Sequence, residues 1–233
     1  MYGFYYYDST YMLVILGLVL CLLAQAKVKS TFKRYSRVQS HAGITGREAA
    51  EMILRRAGIY DVQVIHVAGD LTDHYDPRNR TLSLSDAVYN RTSVAALGVA
   101  AHECGHAIQH QEEYLPLALR SAFVPVANFG STIAWPLIIL GFIFNSRMSL
   151  LLLEAGVIAF ALSVAFQFIT LPVEFNASRR ATKILGESGL LYPEEVHQVK
   201  KVLSAAALTY VASAAAAVLQ LLRLVLLTNN RRR

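Results

Sequence analysis

Two uninterrupted apolar runs constrain this chain more than any other feature. They are FVPVANFGSTIAWPLIILGFIF (Phe123 to Phe144) and LLLLEAGVIAFALSVAFQFITL (Leu150 to Leu171), joined by the five residues NSRMS. Each is about the ~20 residues that a helix needs to cross the hydrocarbon core of a bilayer, and so short a joint makes the pair a transmembrane hairpin. Inside lipid the backbone must satisfy its own hydrogen bonds, so each run has to be helical. A third run, YMLVILGLVLCLLAQA (Tyr11 to Ala26), precedes them, and a fourth, from about Ala205 to Leu227, follows and ends in TNNRRR. With 55% hydrophobic and only 16% charged residues, the chain reads as an integral membrane protein.

The net charge of +6 is then a matter of topology. Lys27, Lys29, Lys33, Arg34 and Arg37 follow the first run directly, and no Lys or Arg precedes it. By the positive-inside rule the N-terminus is outside and the residues after 27 are cytoplasmic. The first run lacks the basic n-region of a secretory signal and reads as an uncleaved anchor, with FYYY (Phe4 to Tyr7) as an interfacial belt. No phosphate-cradling glycine loop or aromatic-interleaved basic stripe accompanies the charge, so nucleic acid is not an expected partner. Cys21 and Cys104 make no disulfide framework. The last run conflicts with the rule if it spans, because its three terminal arginines would lie outside. It is alternatively re-entrant, or packed across the active site with Arg223 snorkelling.

The expected organisation is an anchor at 1–26, a cytoplasmic domain at 27–121, the hairpin at 122–172, a further helix and following segment at 173–204, and a membrane helix with a basic tail at 205–233. Within 27–121, Gly43 to Ile59 reads as a helix capped by Thr45. DVQVIHVAG alternates as a strand, a turn falls at Asp76 to Asn79, and Thr81 to Ser85 is a second short strand. A helix follows from Thr92 or Ser93 to about Gln111.

That helix reads VAALGVAAHECGHAIQHQ. His102 and His106 are four apart and project from one face, so both imidazoles can reach one ion. Glu103 is angled toward water on that ion and can act as general base. Neutral imidazoles suit zinc. A chance His-Glu-x-x-His match in a chain with 7 histidines is expected only ~0.01 times. Cys104 turns to the opposite side of the helix and packs, and Gly105 permits close approach of another backbone.

The third ligand has several candidates. His110 would need three consecutive turns of one straight helix. Glu112 and Glu113 are too close in sequence, and Glu154 lies within the run Leu150 to Leu171, across the membrane from the metal helix. Glu174 stands just past Leu171-Pro172, where the hairpin returns to the side it left, and is the best placed. Its competing role is an interfacial carboxylate paired with Arg179 or Arg180.

HECGHAIQH, preceded by YDPRNRTLSLSDAVYNRTSVAALGVAAHE and followed by LPVEFNASRRA, resembles the YugP-type family of bacterial membrane zinc metallopeptidases over nearly the whole chain. The motif order is also similar to HtpX-type proteases and the CAAX prenyl protease, where a Glu-x-x-Ala-Asp segment supplies the third ligand. The resemblance implies His102, His106 and Glu174 as ligands of Zn2+ and Glu103 as base. It departs at Ser178, where the wider pattern has Asp. If that Asp orients a ligating histidine, the bond here is weaker or supplied otherwise. The implied fold is mainly α, with about four transmembrane or membrane-embedded helices and a small α+β gluzincin-like metallopeptidase domain with a short sheet. The implied location is the bacterial inner membrane, multi-pass, with the active site at the cytoplasmic face.

An oxyanion stabiliser is also expected, with Tyr210 better placed than His197. His41, His66 and His74 read as ordinary polar residues. Thr81 to Ser85 is a candidate edge strand for substrate, with a buried strand the equal alternative. The expected activity is zinc-dependent endopeptidase cleavage of membrane proteins or unfolded segments, with Glu103 activating a zinc-bound water. The partners are then the bilayer and a polypeptide, with room for a homo-oligomer or a regulatory membrane partner. The alternatives are a membrane scaffold with a structural zinc, or a zinc hydrolase of non-peptide amides.

Overall fold

The computed structural model describes residues 9–144 and 147–232. The expected belt at Phe4 to Tyr7 lies outside them, as do Asn145, Ser146 and Arg233. Six helices and three strands follow in the order α1 (Tyr11–Tyr35), α2 (Gly46–Arg56), β1 (Gln63–His66), β2 (His74–Asp76), β3 (Thr81–Leu84), α3 (Val94–Gln111), α4 (Leu115–Ile143), α5 (Arg147–Glu187) and α6 (Pro193–Arg232). Helices α1, α4, α5 and α6 are long and apolar enough to cross a membrane. The chain forms two compact units, and these four helices contribute to both.

The first unit comprises Met1–Leu23, Arg120–Ile169 and Tyr210–Arg233. Lipid offers no hydrophobic drive to pair helices, so close packing through small residues does the work. A Cβ on Gly130 would lie 2.7 Å from the Ala159 carbonyl oxygen, and one on Gly17 would lie 3.1 Å from Ala216. Ala134, Ile138, Leu153, Ala159 and Leu224 form its core. One of the terminal arginines that conflict with the positive-inside rule, Arg231, finds a local role here. Arg231 donates to the carbonyls of Gly141 (2.8 Å) and Phe144 (3.1 Å), groups that the end of α4 leaves without helical partners. Arg223 stacks over the Tyr11 ring at 4.0 Å.

The second unit comprises Ala24–Leu119 and Thr170–Thr209. Helix α1 continues past Lys27 to Tyr35 because no Gly or Pro interrupts it there. Thr45 caps α2 in a full capping box with Glu48. The core joins Ile53 and Leu54 of α2, Leu82 and Leu84 of β3, Leu97 and Cys104 of α3, Leu185 of α5 and Val199 of α6.

The sheet order is β1-β3-β2, with β1 parallel and β2 antiparallel to β3. Register pairs Gln63 with Thr81 and Tyr75 with Leu82. The segment Thr81 to Ser85, open from sequence to either an edge or a buried place, is therefore central. Its Leu82 and Leu84 are fully buried, and β2, too short at three residues to show an alternation, takes an edge. Pro172 does not end its helix. Helix α5 runs through it, giving up only the N–H that a proline lacks. Glu174 thus sits on the same continuous helix as the run Leu150 to Leu171.

Candidate metal centre

Ser93 caps α3 by accepting the Ala96 N–H, which fixes where the helix starts. His102 and His106 then stand one turn apart, with ring centroids 4.8 Å apart. Between them Gly105 makes the decisive contact. A Cβ there would lie 2.8 Å from the Ala177 carbonyl oxygen, so only glycine lets α5 pass this close to α3. Three residues before Ala177, Glu174 is brought against both histidines. Its Oε2 is 3.4 Å from His102 Nε2 and 3.6 Å from His106 Nε2, and the three ligand atoms lie within 4.8 Å of one another.

Tetrahedral zinc with bonds of ~2.0–2.1 Å holds its ligands about 3.3 Å apart. Both gaps match within a few tenths of an ångström. Two imidazoles and one carboxylate also form a donor set of the kind found in catalytic sites, where a fourth position stays open. Glu174 is 2% exposed, so its charge demands a cationic partner. Burial disfavours a charged His106, but the carboxylates of Glu174 and Glu103 outweigh it and raise that imidazole above its usual range.

The outer nitrogens of both rings are also held. Ser178 Oγ lies 3.2 Å from His102 Nδ1, and Gln109 Oε1 lies 3.0 Å from His106 Nδ1. Ser178 thus occupies the place where the wider pattern has Asp and keeps the hydrogen bond, with a neutral partner. Several of the remaining candidates have other partners. His110 pairs with the Tyr75 hydroxyl at 2.8 Å, and Glu112 pairs with Arg180 at 2.7 Å. Cys104 is buried with its thiol against the Ala50 carbonyl, and burial pushes that thiol far up. His66 pairs with Asp86, and His197 is exposed. Glu154 and Tyr210 belong to the first unit.

Two neighbours were not singled out from sequence. Asp73 accepts from the Ser85 N–H (2.8 Å) and hydroxyl (2.9 Å). Burial raises its carboxyl above the usual range, and the Glu103 charge adds to the shift. Gln109 is fully buried. Its spacing of three from His106 was the available signal, since residues three apart on a helix are neighbours.

Comparison with known proteins shows the family. The family described as "Putative neutral zinc metallopeptidase" matches residues 10–229. The chain is 50% identical over 220 residues to "Putative membrane protease YugP" of Bacillus subtilis (strain 168), covering 94% of this chain and 96% of that protein. No solved structure matches. With a match that takes in the helix of His102 and His106, the hairpin and the helix of Glu174 alike, the chain belongs to this family of neutral zinc metallopeptidases.

Proposed function

We propose that this protein is a membrane zinc endopeptidase that hydrolyses peptide bonds in membrane proteins or unfolded segments at the cytoplasmic face. In this reading His102, His106 and Glu174 hold the metal and Glu103 is the general base. The observation that carries it is the convergence of three ligand atoms from α3 and α5 within 4.8 Å. Zinc, when bound, supplies Lewis acidity and lowers the pKa of water.

The chain's own residues do the rest. Glu103, 8% exposed and next to His102 on the same turn, takes the proton of the attacking water and returns it to the leaving amine. The free edge of β2, antiparallel to β3, receives the substrate as a further strand. Ser178 and Gln109 orient the two imidazoles. Tyr210, assigned from sequence order, donates to the developing oxyanion, and its replacement by Phe is expected to lower kcat by about 10²-fold. The basic cluster after the first apolar run supports an external N-terminus and a cytoplasmic active site. In this reading residues 27–121 and 173–204 carry the metal ligands and the base, with 1–26, 122–172 and 205–233 in the membrane.

Metal analysis and peptide cleavage by the purified full chain test this reading. One zinc per chain is expected, lost in Glu174→Gln. Glu103→Gln should keep the zinc and abolish cleavage of a peptide library read by mass spectrometry. Cleavage that survives Glu103→Gln refutes the mechanism. A zinc-loaded wild type that cleaves no peptide points instead to the structural-zinc or non-peptide alternatives.

A further inference from the structure

The hydrogen bonds around His106 form a chain in which every donor and acceptor is determined. Arg180 Nε lies 2.7 Å from Asn176 Oδ1. A guanidinium only donates, so the amide atom of Asn176 facing it is the oxygen. That oxygen also receives Gln109 Nε2 at 2.9 Å, and Gln109 Nε2 lies 2.9 Å from the Val173 carbonyl. A backbone carbonyl only accepts, so two independent partners require the nitrogen end of Gln109 on this side. The oxygen end, Oε1, must then face His106 Nδ1 at 3.0 Å. Facing an obligate acceptor, Nδ1 has to carry the proton, and in a neutral imidazole the lone pair is left on Nε2. Nε2 is the nitrogen turned toward Glu174.

We propose that Gln109 is a positioning residue that locks His106 in its Nδ1–H form, its own orientation being imposed by Val173 and by Arg180 through Asn176. The proposal rests on the reading of His106 as a metal ligand. Gln109 spends both amide hydrogens on α5, at Val173 and Asn176, and its oxygen on α3, so one fully buried side chain fixes a ligand's tautomer and ties together the two helices that carry the ligands. The far end is anchored at the surface, where Arg180 also bonds Glu112 at 2.7 Å.

His102 has no such lock. Ser178 is a hydroxyl, which accepts from Nδ1–H or donates to a bare Nδ1 equally well, so the bond at 3.2 Å holds the ring without choosing its tautomer. The two histidines of the motif therefore differ. His106 stays ready for metal, while His102 exchanges between tautomers until metal selects one.

The test is imidazole 15N NMR on metal-stripped, histidine-labelled full chain in detergent, with the pH raised until the 15N shifts themselves report neutral imidazoles. His106 is expected as a single Nδ1–H tautomer and His102 as a mixture. Gln109→Leu should give His106 mixed tautomers and weaken zinc binding, measured by chelator competition, about 10- to 100-fold. Gln109→Glu keeps an acceptor for Nδ1–H but loses both donors to α5, so it should retain the tautomer even though the tie between the helices is cut. That separates the lock from a general loss of packing. Arg180→Met frees the Asn176 amide and should weaken zinc binding by a smaller factor. An Nε2–H tautomer at His106 in the wild type, or an unchanged tautomer in Gln109→Leu, overturns the proposal. Full zinc affinity in His106→Ala would instead overturn the ligand assignment, and the tautomer measurement stands apart from it.

Discussion

A single methyl group on Gly105 perturbs the metal centre without touching a ligand. In Gly105→Ala the new Cβ would sit 2.8 Å from the Ala177 carbonyl oxygen, 3.2 Å from its Cα and 3.3 Å from its carbonyl carbon. All three are backbone atoms, so no side chain can swing aside, and the helices have to separate. Ordinary contact begins at 3.4 Å, which leaves α5 to move by about 0.6 Å. Overpacking of this kind costs ~1–3 kcal/mol, which a fold of ordinary stability survives. The metal centre is less tolerant, because ligand distances in such sites hold to about ±0.2 Å. Glu174 is three residues from Ala177, ~4.5 Å along the helix axis, so it inherits nearly the whole displacement.

Zinc binding is therefore expected to weaken at least ~10-fold while the helical circular dichroism spectrum is kept. The measurements are a chelator competition titration and a thermal melt on the purified chain. Gly98→Ala is the control on the same helix. Its Cβ would meet only the Val199 side chain, at 3.0 Å, so zinc affinity should hold within about twofold. Gly105→Ala with a wild-type zinc Kd would refute the idea that the α3–α5 approach sets the ligand spacing.

Other expectations follow from the same contacts. Ser178→Ala removes the partner of His102 Nδ1 and should weaken zinc about 10-fold, while Ser178→Asp should restore it through a charge-assisted bond, both read by chelator competition. Thr45→Ala breaks the capping box of α2 and should cost ~1 kcal/mol in denaturant unfolding with zinc affinity unchanged. Zinc at a hundred times its Kd should stabilise the wild type by about 2.7 kcal/mol, and Glu174→Gln should lose that gain in thermal melts. Asp73 has a raised carboxyl, chiefly through burial, so the folded state keeps that proton to higher pH than the unfolded chain does. Its contribution is complete below the unfolded value of ~3.9 and is lost as pH rises through the raised folded one. Melts across that window should be flatter for Asp73→Asn.

Much of the fold could be read directly from the chain because its signals are local. Hydropathy marked the four long apolar helices, and caps at Thr45 and Ser93 marked the starts of α2 and α3. The four-residue spacing of His102 and His106 needs only one helix to have meaning. Glu174 was reached by a topological argument, since a hairpin must return its chain to the side it left. Two features had no such local trace. Sheet order depends on which strands meet, so the sequence leaves β3 equally open to an edge or a buried place, and its buried Leu82 and Leu84 make it central. Pro172 looked like a boundary because the cost of a missing N–H is visible in sequence, while the packing that carries α5 through it is not.

The sequence by itself determined a membrane protein with a paired-histidine helix, because periodicity and hydropathy act between neighbours along the chain. Only the tertiary structure decided that Glu174 Oε2 lies 3.4 and 3.6 Å from the two imidazoles, and that Gln109 and Ser178 hold the outer nitrogens. Those distances come from two helices meeting where Gly105 has no side chain, some seventy residues from its contact at Ala177. The physical reason is that close packing and hydrogen-bond direction are settled between atoms distant in sequence, once the chain has closed on itself.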